Sequence, residues 1–280
     1  MTRILARAAA TWLSAPRASF ALASTKDLMA ENTVLSVLAH PDDAEFLCAG
    51  TLIRLAREHG WTVHIASMTP GDCGSAEHSA EEISCIRRSE GAAAAVVIGA
   101  TYHCLEERDL RITYNERALG KVVRLFRRVR PRIVLTHSPA DYMLDHEMTS
   151  TLTRAAAFGA AVPNFAAGQG HAPPLDHIPH LYYCDAAEGK DLFGRDVTPA
   201  VWIDISSVID IKAEMLSHHA SQRNWLLRQH GMDQYVETMR QWSAQRGRER
   251  GVAFAEGYRQ HLGHAYPQDN LLGQILGALA

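Results

Sequence analysis

The sequence predicts an α/β fold with a mostly parallel sheet and a helical C-terminal tail. Residues 33–38 form an uncharged, strand-forming run, which is typical of a strand buried on both faces of a parallel sheet. Residues 46–59 follow with apolar side chains at helical spacing. Strand and helix patterns then alternate, as expected of a sheet covered by helices. With 280 residues, 47% of them hydrophobic, the chain can fill a sizeable core.

The later elements follow from the same patterns. Four further segments have the composition of strands: 61–68, 132–137, 181–186 and 201–206. Apolar spacing predicts further helices over 79–99, 115–129, 147–158 and 208–245. Residues 160–180 are rich in Gly, Pro, Ala and His, which predicts a long loop. Loops of this length often form lids or oligomer contacts, so a homo-oligomer is compatible with the sequence.

Three side chains with metal or acid–base chemistry lie where the first strand passes into the first helix. His40 and Asp43 are three residues apart across a tight turn, so both can face one divalent metal ion. Asp42 must then point elsewhere, and it is free to take a proton from water. Ligands bind at the carboxyl ends of parallel strands, and imidazole with carboxylate suits zinc. The same residues could instead only cap the strand and the helix.

A second cluster occupies a matching position further along the chain. Asp145 and His146 follow the strand 132–137 and precede the helix 147–158. The carboxyl ends of parallel strands meet at one edge of the sheet, so His146 is the expected third metal ligand. Asp145 suits a supporting role as a hydrogen-bond partner of the ligating His146.

Four segments carry a resemblance to a known family: 39–45, 87–90 leading into 97–100, 145–146 and 219–222. On these segments the chain resembles the deacetylases that include the N-acetylglucosaminyl-phosphatidylinositol de-N-acetylases and the LmbE-like enzymes. The resemblance implies a Rossmann-like three-layer fold and one zinc ion on His40, Asp43 and His146, with Asp42 as general base. It also implies hydrolysis of the N-acetyl group of an N-acetylglucosamine-type sugar or conjugate, with release of acetate.

One departure from the family concerns a catalytic donor. Several relatives carry a histidine three residues before the second histidine ligand, where this chain has Met143. A thioether cannot donate a hydrogen bond. The resemblance places His219 near the metal, so His219 is our predicted donor to the negatively charged oxygen of the intermediate. The alternative is that His219 satisfies a hydrogen bond in the core.

Four further residues are candidate substrate contacts. Arg87 matches a family position that meets the substrate or braces the site, although an ion pair with Glu90 is an equal alternative. Asp109, in the short segment after Cys104 and Leu105, is a candidate contact to a sugar hydroxyl, and so is Asp72 in the glycine-containing loop after the strand 61–68. His137 ends the strand that leads to the second cluster, and a structural hydrogen bond is its alternative role.

Composition narrows the class of protein. A formal net charge of -3 gives no electrostatic case for binding nucleic acid or an anionic membrane. Five cysteines without a Cys-x-x-Cys pair indicate reduced thiols, which favours the cytoplasm. No stretch approaches the length of a membrane span. The family resemblance implies a small N-acetylated sugar as the partner.

The N-terminal segment is interpreted separately from the rest of the chain. We expect residues 1–30 to be a disordered or extraneous leader and residues 31–280 to form a single deacetylase domain. Met29 is an alternative start.

Two other functions remain open: metal-dependent hydrolysis of another amide or a phosphoester, and non-catalytic carbohydrate binding. A non-catalytic carbohydrate-binding protein would be expected to lack Asp42 or a metal ligand. Asp42 and the three predicted ligands, His40, Asp43 and His146, are all present.

Overall fold

The computed structural model describes residues 32–165, 172–224 and 234–279, so the predicted leader over residues 1–30 lies outside the described residues. Its centre is an eight-stranded sheet of order β3-β2-β1-β4-β5-β7-β6-β8. The strands are Thr33–Leu38 (β1), Thr62–Ser67 (β2), Thr101–Cys104 (β3), Ile133–Thr136 (β4), His180–Cys184 (β5), Val201–Asp204 (β6), Ala255–Gln260 (β7) and Ala278–Leu279 (β8). Strands β1 to β5 pair in parallel, whereas β6, β7 and β8 add antiparallel pairs. The predicted mostly parallel α/β fold is confirmed.

Some of the helices begin at a residue whose side chain caps them. They are Asp43–Leu47 (α1), Ala49–His59 (α2), Ala80–Val96 (α3), Glu116–Val129 (α4), Leu144–Gly159 (α5), Ile209–Ser217 (α6), Gln234–Arg248 (α7) and Leu271–Leu276 (α8). Ser79 forms a capping box with Glu82 at the start of α3, and the side chain of Asn115 caps α4. Among the described helices, none is long and apolar enough to cross a membrane.

Two hydrophobic clusters cover the two faces of the sheet. Alternate residues of β1 point to opposite faces: Val34 packs in one cluster with Leu52 of α2, and Leu35 packs in the other with Phe126 of α4. Both strand positions are fully buried. A strand buried on both faces requires the uncharged sequence that residues 33–38 have, and the sheet forms the middle of three layers.

The predicted continuous helical tail over 208–245 is wrong. Helix α6 ends at Ser217, and a new helical segment begins at residue 220. The backbone N–H groups of His218 and His219 bond three residues back, to Met215 and Leu216, which tightens and ends the helix. Ser221 then donates its N–H and its hydroxyl to the carboxylate of Glu90 in α3, both at 2.7 Å. A contact from another part of the chain therefore sets the break.

Strands β3, β7 and β8 are not among the strands predicted from the sequence, the last of which was the segment 201–206. Strand β7 carries a buried carboxylate, Glu256, whose oxygens accept hydrogen bonds from the N–H groups of Gly50 and Thr51 at 2.8 Å. The same carboxylate accepts a bond of 2.7 Å from buried Lys212. A charged residue such as Glu256 is unusual in a buried strand. Its partners are distant in sequence, so only tertiary contacts stabilise its burial in β7.

Smaller differences affect the first helix and the long loop. The helix predicted over 46–59 is two helices, because the chain kinks at Cys48 between α1 and α2. Residues 161–165 and 172–179 contain no helix or strand, as predicted for the loop 160–180, and residues 166–171 lie outside the described part.

Candidate metal centre and catalytic cavity

The carboxyl ends of β1 and β4 bring the two predicted clusters together. These strands are direct neighbours, with Val37 paired to Thr136. His40 and Asp43 follow β1, and His146 lies in the first turn of α5 after β4. One ligand atom from each of the three lies within 4.8 Å of the others. Two segments about a hundred residues apart thus meet at one edge of the sheet, as the strand pattern predicted.

The atoms of this triad are arranged as a metal site requires. His40 Nδ1 lies 3.4 Å from Asp43 Oδ2, and His146 Nε2 lies 3.8 Å from Asp43 Oδ1. The other nitrogen of each imidazole faces a carboxylate: His40 Nε2 lies 3.3 Å from Asp145, and His146 Nδ1 lies 2.9 Å from Asp141. Such carboxylates fix the tautomer and orient a ligating histidine. The donor set of two imidazoles and one carboxylate fits a catalytic zinc ion.

The supporting carboxylates differ from the sequence-based prediction. Asp145 was assigned to His146, its neighbour in sequence, but it contacts His40 and accepts the N–H of Leu110 at 2.7 Å. The partner of His146 is Asp141, which the sequence analysis did not single out. Helix geometry explains the exchange, since successive side chains at the start of α5 point in different directions. The only sequence signal for this role of Asp141 was that an acidic residue lies five positions before His146, a predicted ligand.

Neighbouring charges and hydrogen bonds shift the pKa values of the triad residues. Burial lowers the pKa of His40, but hydrogen bonds to Asp145 and Asp43 and the charge of Asp109 outweigh burial and raise it to about 10. Burial raises the pKa of Asp43, whereas His146 and His137 hold it well below its usual value. The cluster therefore favours ionised carboxylates with a positive charge between them, which is the arrangement a divalent cation satisfies.

His137 was a predicted substrate contact, and its position does not support that role. Its side chain is fully buried, and its Nε2 lies 3.1 Å from Asp43 Oδ2 and accepts the N–H of Ala39 at 2.9 Å. Its ring stacks on that of His146, with centroids 3.9 Å apart. His137, Asp141 and His146 also form a group with metal-ligand spacing. Of the two groups, only His40, Asp43 and His146 line the cavity with all three members.

Asp42 is held apart from the triad by its backbone and by two partners. Its φ of 105° is a left-handed conformation that non-glycine residues rarely adopt. The Tyr235 hydroxyl donates a bond of 2.5 Å to Asp42 Oδ2, and Arg87 Nη2 lies 3.3 Å from Oδ1. Burial raises the pKa of Asp42 above its usual value, although Arg87 opposes this. A partly buried carboxylate with a raised pKa beside a metal site is suited to accept a proton.

Arg87 is built into the wall of the site. Its guanidinium is buried and donates to the carbonyl of Pro41 at 2.6 Å, and the ion pair with Glu90 that was its alternative is not observed. A Cβ atom at Gly71 or Gly74 would lie within 2.7 Å of this guanidinium. The two glycines of the predicted loop therefore allow the backbone to approach Arg87.

The triad and Asp42 open into a cavity of about 510 Å³. This volume is within the usual range for small-molecule sites. The lining combines polar and aromatic side chains: Asp109, Arg87, Gln222, Cys73, Tyr142, Phe46 and Trp242. Asp109 Oδ2 accepts the N–H of Cys73 at 2.8 Å, whereas its buried Oδ1 has no hydrogen-bond partner. An unpaired carboxylate oxygen in a cavity is available to a ligand hydroxyl.

Asp72, another predicted substrate contact, lies beside the cavity without lining it. Its Oδ1 accepts the N–H of Asp109 at 2.7 Å, and its Oδ2 lies 3.2 Å from Arg108 Nε. Asp72 therefore shapes the loop that presents Asp109.

The structure also contradicts direct donation from His219 to a substrate. His219 is fully buried behind Asp42, 3.4 Å from the carboxylate of Glu45, and does not line the large cavity. Gln222, three residues later, does line it and donates to the carbonyl of Gly74 at 3.0 Å. The predicted helix face is interrupted because His219 precedes the helical segment that contains Gln222. A hydroxyl that does line the cavity belongs to Tyr142, whose ring contacts that of His146 edge-on.

Comparisons with known proteins identify relatives with two kinds of activity. The chain is 25% identical to a 4-oxalmesaconate hydratase of Pseudomonas putida over 248 residues, covering 85% of this chain and 91% of the hydratase. It is 27% identical to a diacetylchitobiose deacetylase of Thermococcus kodakarensis over 198 residues, covering 68% of this chain and 69% of that enzyme. The structure of an N,N'-diacetylchitobiose deacetylase from Pyrococcus horikoshii superposes with a TM-score of 0.71 at 22% identity, covering 86% and 88% of the two chains.

A family model described as PIG-L, GlcNAc-PI de-N-acetylase, matches residues 35–157. The match begins in β1 and ends in α5, so it contains His40, Asp42, Asp43 and His146. Residues 35–157 therefore match the PIG-L family, which confirms the resemblance inferred from the motifs in this part of the chain.

Proposed function

We propose that this protein is a zinc-dependent hydrolase that removes the N-acetyl group from an N-acetylglucosamine-type sugar or conjugate and releases acetate. The observation that carries the proposal is Asp42, a partly buried carboxylate with a raised pKa beside the triad His40, Asp43 and His146 in one cavity. Amide hydrolysis needs a base next to the attacking water, and the sugar-deacetylating relatives and the family match support this chemistry.

Each residue of the site has a separate role in this reaction. His40, Asp43 and His146 hold the metal ion, and Asp145 and Asp141 orient the two histidines. When bound, a divalent ion supplies Lewis acidity, which polarises an acetyl carbonyl and makes water a stronger nucleophile. Asp42 accepts the proton of the attacking water and returns it to the nitrogen of the departing amine. The Tyr142 hydroxyl keeps its proton and donates a hydrogen bond to the oxygen on which negative charge develops.

The cavity lining favours an uncharged sugar. Asp109 and Gln222 offer an acceptor and an amide to ring hydroxyls, while Phe46 and Trp242 present aromatic surface. Among the described lining residues, Arg87 is the only permanent cation, and its charge already faces Asp42. Among the described lining residues, a substrate with several carboxylates would meet Asp109 and Asp42, and only the metal ion would balance its charge.

Hydration of an unsaturated acid is the second candidate. It is supported by the match to the hydratase, which covers 91% of that protein against 69% of the deacetylase. Both reactions add water under the control of a base, so Asp42 and the triad fit either one. They differ in the electrophile, which is an amide carbonyl in one and a conjugated double bond in the other.

We also propose that the protein works in the cytoplasm. All five cysteines are free, and two of them, Cys73 and Cys85, are exposed. Exposed thiols of this kind persist in a reducing compartment.

A paired assay tests the proposed reaction. Metal-stripped protein, reloaded with Zn²⁺, is incubated with N-acetylglucosamine, its disaccharide and its inositol glycoside, and acetate is measured. The same preparation is incubated with unsaturated hydroxy-dicarboxylic and tricarboxylic acids, and loss of ultraviolet absorbance is followed. We expect zinc-dependent acetate release that Asp42→Asn abolishes. Hydration without acetate release would overturn the deacetylase proposal in favour of the second candidate.

A further inference from the structure

Tyr235 connects the last long helix to the base of the proposed reaction. It lies in the first turn of α7, 193 positions after Asp42, and its side chain is buried. Its ring packs edge-to-face against Phe46 in α1, with centroids 5.1 Å apart. Burial raises the pKa of Tyr235 well above its usual value, so the phenol keeps its proton and is the donor to Asp42.

Two partners hold the carboxylate of Asp42 from different sides. Tyr235 donates to Oδ2 at 2.5 Å, and Arg87 Nη2 lies 3.3 Å from Oδ1. Arg87 is itself fixed, because it also donates to the carbonyl of Pro41. Only the Oδ2 contact is a short hydrogen bond, since 3.3 Å is long for a charged pair. Tyr235 therefore provides the stronger restraint on the rotation of the carboxylate.

The backbone conformation of Asp42 makes the restraint by Tyr235 important for the direction of the carboxylate. Asp42 has a φ of 105°, so its side chain leaves the main chain in a direction that ordinary residues at a helix start do not take. Strained conformations persist when their surroundings over-determine them. With Oδ2 occupied by the phenol, Oδ1 remains as the atom that can receive a proton.

We propose that Tyr235 is a positioning residue, which fixes the Asp42 carboxylate so that Oδ1 is aimed at the attacking water. The catalytic consequence rests on the function proposed above, in which Asp42 is the base. Misplacing a reacting group by about an ångström can cost about a hundredfold in rate, which makes such a restraint significant.

The test removes the hydroxyl and keeps the ring. Tyr235→Phe retains the contact with Phe46 and deletes only the bond to Asp42. The free energy of a hydrogen bond to a charged group corresponds to roughly a ten- to hundredfold change in rate. We therefore expect Tyr235→Phe to lower kcat by this factor and to change KM by less than about twofold. Zinc content and melting temperature should match those of the native protein. Tyr183→Phe is the matched control, because it removes a largely buried hydroxyl that bonds His261 away from the cavity.

A double-variant cycle separates positioning from a merely structural role. In the Asp42→Asn background, Tyr235→Phe should cause no further loss of kcat, because its effect passes through the carboxylate. A loss of equal size in both backgrounds would overturn the inference. The cycle is measured on acetate release or on hydration, whichever reaction the native protein catalyses.

A second readout does not depend on activity. Crystal structures of the zinc-loaded native protein and of Tyr235→Phe should show the Asp42 carboxylate rotated in the variant. An unchanged orientation would overturn the inference even if the substrate assay fails. Failure of acetate release with a rotated carboxylate would instead reject the proposed function and leave the positioning role supported.

Discussion

The parallel and antiparallel halves of the sheet contribute differently to the site. In the parallel half, short motifs after β1 and β4 supply the triad His40, Asp43 and His146. The antiparallel half, β6, β7 and β8, supplies none of the triad, and its neighbouring helix α7 contributes Tyr235 and Trp242. Ligand chemistry is therefore concentrated at the carboxyl ends of parallel strands, while the C-terminal part positions and encloses it.

The largest expected effect tests the parallel half. His146→Ala should abolish metal binding and turnover, because two remaining ligands do not hold a catalytic zinc ion. Elemental analysis of purified protein measures the metal, and an acetate assay measures turnover. His64→Ala is the control, since His64 lies in β2 of the same half and pairs with His103 outside the cavity. Full metal retention in His146→Ala would remove this residue from the ligand set.

The next effect separates the base from the ligands. Asp42→Asn should retain zinc and lose about a hundred- to ten-thousandfold in turnover, because an amide cannot accept a proton at neutral pH. Turnover close to that of the native protein, with metal content unchanged, would show that another group activates the water.

The antiparallel half should affect stability and leave the chemistry intact. Lys212→Met leaves Glu256 buried without its cation, and the free energy of unfolding should fall by about 3–5 kcal/mol. Turnover per folded molecule should be unchanged. Arg88→Met provides the comparison, because its pair with Glu106 is exposed and worth no more than about 1 kcal/mol. Denaturant unfolding measures both, and equal losses would contradict a special role for the buried pair.

A small effect on turnover is expected at His219, which follows α6 and lies beside Glu45. His219→Gln should lower turnover by less than about tenfold, because His219 lies behind Asp42 and reaches no substrate atom. Removal of a direct donor to the developing negative charge costs about a hundred- to a thousandfold. A loss of that size with an unchanged melting temperature would restore His219 as the donor.

The sequence by itself determined four of the five parallel strands and the convergence of His40, Asp43 and His146. An uncharged run followed by His40, Asp42 and Asp43, and a second strand followed by His146, were sufficient because strand ends of a parallel sheet must converge. Local capping also fixed the starts of α3 and α4 at Ser79 and Asn115. These features depend on residues close in sequence, or on a general property of the fold.

Only the tertiary structure decided the partners of these residues. Asp145 serves His40, Asp141 serves His146, and Tyr235 holds Asp42, although none of these pairs is marked by a sequence pattern. Strand β7 likewise depends on contacts of Glu256 with distant residues. Hydrophobic periodicity specifies which face of an element is buried, but the partner of a buried polar group depends on side-chain direction after the elements have packed.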